Sequence, residues 1–179
     1  MALLTALMLF SVFTLVFILF VGLVRWNDAR STAGLFRAEI NAVLETVIAS
    51  DHVGSLFGYQ GHLAAGNKMA IPTYLCCQAS ELPIFRQFRR RMGLFDPELS
   101  CEIAAFYVVL AQARRCFVEL AAAKTEMPEV LAEGLAEDIR LWKRVEVQGS
   151  SVADRLQKFI MITPQSYLSA LIFARAPDA

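Results

Sequence analysis

The chain has 179 residues, 17 Lys plus Arg against 17 Asp plus Glu, and a hydrophobic share of 56%. That share excludes a disordered chain, and zero formal net charge removes the electrostatic case for nucleic acid as a partner of the whole molecule. The four cysteines are too sparse for a disulfide scaffold and, as reduced thiols, suit a cytoplasmic domain.

From Ala2 to Val24 the sequence is ALLTALMLFSVFTLVFILFVGLV, without charge or proline. Its polar side chains are Thr5, Ser11 and Thr14, whose hydroxyls can donate to the helix's own carbonyls. As a helix this run is about 34 Å long, enough to cross a hydrocarbon core of ~30 Å with some tilt. A cleaved signal peptide predicts a basic leader and an apolar core of roughly 7–15 residues. Here no basic side chain precedes the run, and the run is longer. Residues 1–24 are therefore expected to form a transmembrane anchor. Arg25, Arg30 and Arg37 follow it, with Trp26 at the interfacial position. Positive-inside logic puts the remainder in the cytoplasm and the N-terminus outside.

Residues 25–34, RWNDARSTAG, form a short polar juxtamembrane linker. Two continuations are open there: the anchor helix runs on, or it breaks near Gly34. A helical domain is expected over 35–174, with a fraying tail at 175–179. Phe36, Ile40, Val43 and Val47 step by four, three and four, which predicts a helix from about 30 to 50. Glu39 and Glu45 fall off that face. Gly54, Gly58, Gly61 and Gly66 then make a long helix costly and predict a loop with one apolar turn. Pro72, Ser80, Pro83 and Gly93 punctuate two short helices, at about 72–79 and 82–92.

Asp96-Pro97-Glu98 is the clearest helix start: a cap, a proline at the first helical position and an acid near the positive end. The helix should reach about 124 on a seam of Leu99, Ile103, Phe106, Leu110, Ala113, Phe117 and Leu120. Pro128 opens another, lined by Leu131, Leu135, Ile139, Trp142 and Val145 and ending near Gly149. Ser150 or Ser151 then caps a short helix to about 162, and Thr163-Pro164 begins a last one to about 174. With no period-two alternation, the fold class is all-α: a transmembrane helix followed by a bundle of three longer helices with short accessory helices.

Four pieces carry a resemblance: the anchor, FRAEINAVLE, IPTYLCC, and MGLFDPELSCEIAAFYVVLAQAR. Together they cover about half the chain. It resembles a family of small bacterial single-pass membrane proteins with a C-terminal helical domain. This chain departs by Phe95-Asp96 before Pro97 and by its adjacent cysteines. The resemblance implies architecture and bacterial origin, and no chemistry; together with the anchor, the expected location is the bacterial inner membrane.

Several features invite function. Gly61 to Lys68 nearly spells a phosphate-binding loop, but Asn67 displaces the lysine, Met69 replaces the hydroxyl residue and no strand precedes it. His52 and His62 lack helical ligand spacing, so loop histidines are expected. Cys76 or Cys77 as a nucleophile would need a base that the sequence does not place. Cys116 beside the seam reads as core or boundary filler. Arg86, Arg89, Arg90 and Arg91, interleaved with Phe85 and Phe88, form the densest cationic run and the candidate lipid- or partner-binding residues. Residues 159–174 are apolar but too short to span, so they are bundle core or an interfacial helix.

The expected function is non-catalytic. A membrane-anchored helical module would act through its partners: lipid through the anchor, a second copy, or a subunit of a membrane complex, and not nucleic acid. No cofactor or metal is expected. The alternatives are a membrane-associated enzyme using a His/Cys site, which requires those side chains to converge, and a periplasmic sensor-like domain of inverted topology.

Overall fold

The computed structural model describes residues 2–66, 82–122 and 128–167, and these are helical with short connections and no strand. The expected helix at 72–79, with Cys76 and Cys77, lies outside the described residues.

Helix α1 runs unbroken from Ala2 to Ala49. Residues 25–34 are one part of it, and Gly34 causes no break because burial of Ala29, Ala33, Phe36 and Ile40 on either side of it offsets the glycine's cost. The character of α1 changes along its length. Leu7 to Val24 expose their large apolar side chains all round, whereas from Ala29 one face is buried: Ala29, Ala33, Phe36, Ile40, Val43 and Val47. Those positions step by four and three, the spacing of a single helical stripe. In the apolar half, Ser11 Oγ donates to the Leu7 carbonyl at 2.9 Å and Thr14 Oγ1 to Phe10 at 2.8 Å, as the sequence leads one to expect.

After α1 the chain turns at Asp51, which takes the left-handed conformation with φ 44°. Helix α2, His52–Ala64, follows where a glycine-rich loop was expected. Each glycine within a helix costs about 1 kcal/mol relative to alanine. Full burial of Leu56, with His52 buried and Tyr59 and Leu63 partly buried on the same stripe, offsets that cost. One fully buried leucine contributes roughly 1.5–3 kcal/mol. Gly54 also has a local reason: a Cβ there would stand 2.4 Å from the Asp51 carboxylate.

Helix α3, Pro83–Phe88, passes directly into a 3₁₀ segment, Arg89–Leu94. Helix α4, Pro97–Ala122, begins as expected, with Asp96 Oδ1 accepting the Leu99 N–H at 2.8 Å. Its seam is buried from Leu99 through Phe117, and Leu120 packs against the core.

Helix α5, Pro128–Met161, is the central element, packed on α1, α2 and α4. It does not end at Gly149 and restart, as the sequence led one to expect. A Cβ on Gly149 would come within 2.8 Å of Phe106 Cε2 and 2.9 Å of Leu44 Cδ2. The glycine is there because α1, α4 and α5 meet at that point, and the helix continues through it. Arg155 on α5 pairs with Glu98 at 3.1 Å and with Glu102, setting the end of α5 beside the start of α4. Thr163 caps a final helical turn at 164–167, its Oγ1 lying 3.0 Å from Ser166 Oγ. The rest of the expected last helix lies outside the described residues.

Candidate interaction surface beside the apolar half of the long helix

Two chain segments converge on α1 just after its apolar run. Tyr167 is buried, its ring edge-on to Phe159 at 6.1 Å, and its hydroxyl points to the Leu94 carbonyl at 3.4 Å. Phe159 in turn meets Phe95 edge-on at 5.3 Å, and Phe95 meets Phe36 of α1 at 6.2 Å. The Tyr167 hydroxyl is raised in pKa by burial, and the adjacent Arg25 guanidinium partly offsets this. These contacts tie the end of α5, the turn at 164–167 and the 3₁₀ segment to the level of Arg25.

The four arginines singled out in the sequence are all exposed, but they do not form one helical face. Arg86 belongs to α3, while Arg89, Arg90 and Arg91 lie on the 3₁₀ segment, whose tighter winding fans successive side chains apart. The Arg91 guanidinium sits over the Phe88 ring at 5.3 Å. Arg30 covers Trp26 at 5.4 Å in the same way, one turn past the apolar run. Met161 is 69% and Ile162 38% exposed at this end, whereas Phe159 and Ile160 pack against the core and Tyr167 is buried. Residues 159–167 thus divide between core and surface.

The position of α3 is fixed by a residue that the hydrophobic pattern passes over. Glu39 of α1 is partly buried, and its two oxygens accept the N–H groups of Ile84 at 2.8 Å and Phe85 at 3.0 Å. The carboxylate caps the first turn of α3 from another helix. Tyr107 of α4 donates to Glu39 Oε2 at 2.6 Å, and its ring stacks on Phe85 at 3.9 Å. Burial and the neighbouring carboxylate both raise the Tyr107 pKa. Glu39 sits three residues after Phe36 and four before Val43, at the flank of the buried stripe. That placement is the signal by which sequence could have found it.

A second polar group lies deep in the bundle. His52 is 1% exposed, not a loop residue, with its ring against Trp142 at 4.5 Å and Phe117 at 5.2 Å. Neither ring nitrogen has a hydrogen-bond partner, and burial lowers the His52 pKa. Asp138, one turn before Trp142, is fully buried, and desolvation pushes its carboxyl up to about 7. The Trp142 indole N–H lies toward Asp138 and acts against that rise, but the pair does not close a hydrogen bond of good geometry. Cys116 is pushed up to about 11 by partial burial and by nearby acids, Asp138 first among them. A thiol so placed is protonated and unreactive at neutral pH, as expected of boundary filler.

These groups do not assemble a reactive centre. His52 and His62 occupy opposite ends of α2, about 15 Å apart along the axis. His62 and Cys101 are exposed. Among the described residues no cluster of three His, Cys, Asp or Glu side chains could hold a metal. Gly61 to Ala64 are helical, and no described strand leads into them, so the phosphate-loop geometry is absent there. No family model, curated protein or solved structure matches the chain.

Proposed function

We propose that this is a single-pass protein of the bacterial inner membrane, with a cytoplasmic helical bundle that acts by binding rather than catalysis. The observation that carries the reading is the division of α1. Its first half is apolar and exposed on every side; its second half is the buried wall of a bundle, with no break between them. By length and composition α1 can cross a membrane. Water would penalise the exposed half heavily, at roughly 25 cal/mol per Å² of apolar surface, whereas lipid would not. A core helix of a soluble domain would be mostly buried, and this stretch is not buried at all. Because α1 is continuous, the bundle is held close to the bilayer, which raises its effective concentration toward partners there.

Orientation rests on Arg25, Arg30 and Arg37, which follow the apolar run. Cys101 is exposed on α4 and reports it directly. In a chain with the other three cysteines replaced by serine, a membrane-impermeant maleimide should label Cys101 only after the cells are opened. Labelling in intact spheroplasts would instead place the bundle on the periplasmic side, as a sensor-like domain would be.

A further inference from the structure

The bundle end nearest the apolar run carries an excess of cations that, among the described residues, form no ion pair, beside exposed apolar side chains. Ala29, the first buried residue of α1, is only five residues past Val24, or about 8 Å of helix. That distance is comparable to the headgroup layer of a bilayer, whose two layers together add roughly 10–15 Å to the hydrocarbon core. Arg25 lies within this interval and Arg30 one residue past it, and Tyr167, which meets both Arg25 and the Leu94 carbonyl, brings the 3₁₀ segment to the same level. Arg89, Arg90 and Arg91 lie within five residues of Leu94, no more than about 10 Å away along a 3₁₀ axis. Among the described residues, no carboxylate is within ion-pair distance of Arg89, Arg90 or Arg91. Of the acids near this end, Asp96 caps α4 and Glu98 pairs with Arg155, while Asp28 and Asp154 are exposed, so the cations outnumber the free acids. Lys158 adds a further exposed cation on the last turn of α5.

We propose that this end of the bundle is a second membrane contact: Arg89, Arg90 and Arg91, with Arg25 and Arg30, bind anionic phospholipid headgroups while Met161 and Ile162 enter the interface. The inference rests on the membrane-spanning reading of α1. Its occupant follows from continuity with the apolar run and from the sign of the charge. A protein partner would have to enter the narrow space between bundle and bilayer, whereas lipid headgroups already fill it. Arginine suits phosphate because its planar fork donates two parallel hydrogen bonds. The surface tilts or seats the bundle according to leaflet charge, so lipid composition would control which bundle faces are free.

The test uses the full chain, with its cysteines replaced by serine, reconstituted in vesicles of phosphatidylcholine alone or with phosphatidylglycerol. Single spin labels are placed at Phe13 in the apolar run, at Ile162 and at Val147, which is 71% exposed on α5. Collision with oxygen and with a water-soluble nickel complex reports depth. The label at 162 should gain oxygen and lose nickel accessibility only when phosphatidylglycerol is present, and 0.5 M salt should reverse this. R89Q/R90Q/R91Q should abolish the response, since each arginine near an anionic surface is worth roughly fivefold in the docked-to-free ratio. If the 162 label is as open to nickel as the 147 label in both lipids, or equally protected in both, the proposal is overturned. If the label at 13 is open to nickel, the membrane-spanning reading itself fails. Ile162→Trp in a Trp26→Phe background, quenched by brominated lipid, repeats the measurement with all native cysteines retained.

Discussion

The Tyr107 hydroxyl donates to Glu39 at 2.6 Å, and the same carboxylate receives two backbone N–H groups from the start of α3. One side chain on α1 therefore fixes both α3 and α4. Hydrogen bonds to a charged group are worth about 1.5–3 kcal/mol, and orphaned buried donors add to the cost of losing them. Glu39→Ala should destabilise the bundle by about 2–4 kcal/mol and Tyr107→Phe by about 1–2 kcal/mol. Because the two share a bond, the double variant should cost less than the two effects added. Denaturant unfolding of the reconstituted chain, followed by circular dichroism, measures all three.

Two glycine substitutions should act in opposite directions. Gly149→Ala places a methyl group within 2.9 Å of both Phe106 and Leu44. Overpacking of this kind costs typically 1–3 kcal/mol. Gly58→Ala, in the middle of α2, meets nothing within 4 Å and should stabilise by about 0.5–1 kcal/mol. Melting temperatures of the two variants should bracket that of the parent chain.

Asp138 gives the bundle an acid-favouring component of stability. Its carboxyl is raised from 3.8 to about 7 in the folded chain. Between those values the unfolded chain holds fewer protons, so this contribution falls as pH rises through the window and stays lost above it. His52 works in the opposite sense: its pKa is lowered from 6.5, so its contribution is lost as pH falls below that value. Asp138→Asn mimics the protonated acid. It should be more stable than the parent at pH 8, by about 1–3 kcal/mol, and nearly equal to it at pH 4. The difference in melting temperature across that range checks the sign.

The division between what sequence shows and what it hides runs along the line between local and tertiary causes. Asp96, Pro97 and the seam from Leu99 to Phe117 were legible because capping and periodicity are properties of neighbouring residues. The α2 helix was not, because glycine's intrinsic cost is visible in sequence while burial of Leu56 and His52 against another helix is not. Gly149 misled for the same reason: a helix stop and a helix crossing both select glycine, and only the nearness of Phe106 and Leu44 distinguishes them. Of the surface described above, the arginine run was legible as charge. Its convergence with Arg25, Met161 and Ile162 depends on the turn at 164–167 meeting Leu94, a contact 73 residues apart in the chain.

The account depends most on α1 remaining whole, its first half in lipid and its second in the bundle. Membranes from expressing cells, washed with alkaline carbonate, followed by intact-mass measurement of the extracted chain, test this directly. The account predicts that the protein stays in the pellet with residues 2–49 all present. Recovery in the supernatant, or a mature chain beginning after Trp26, would contradict it.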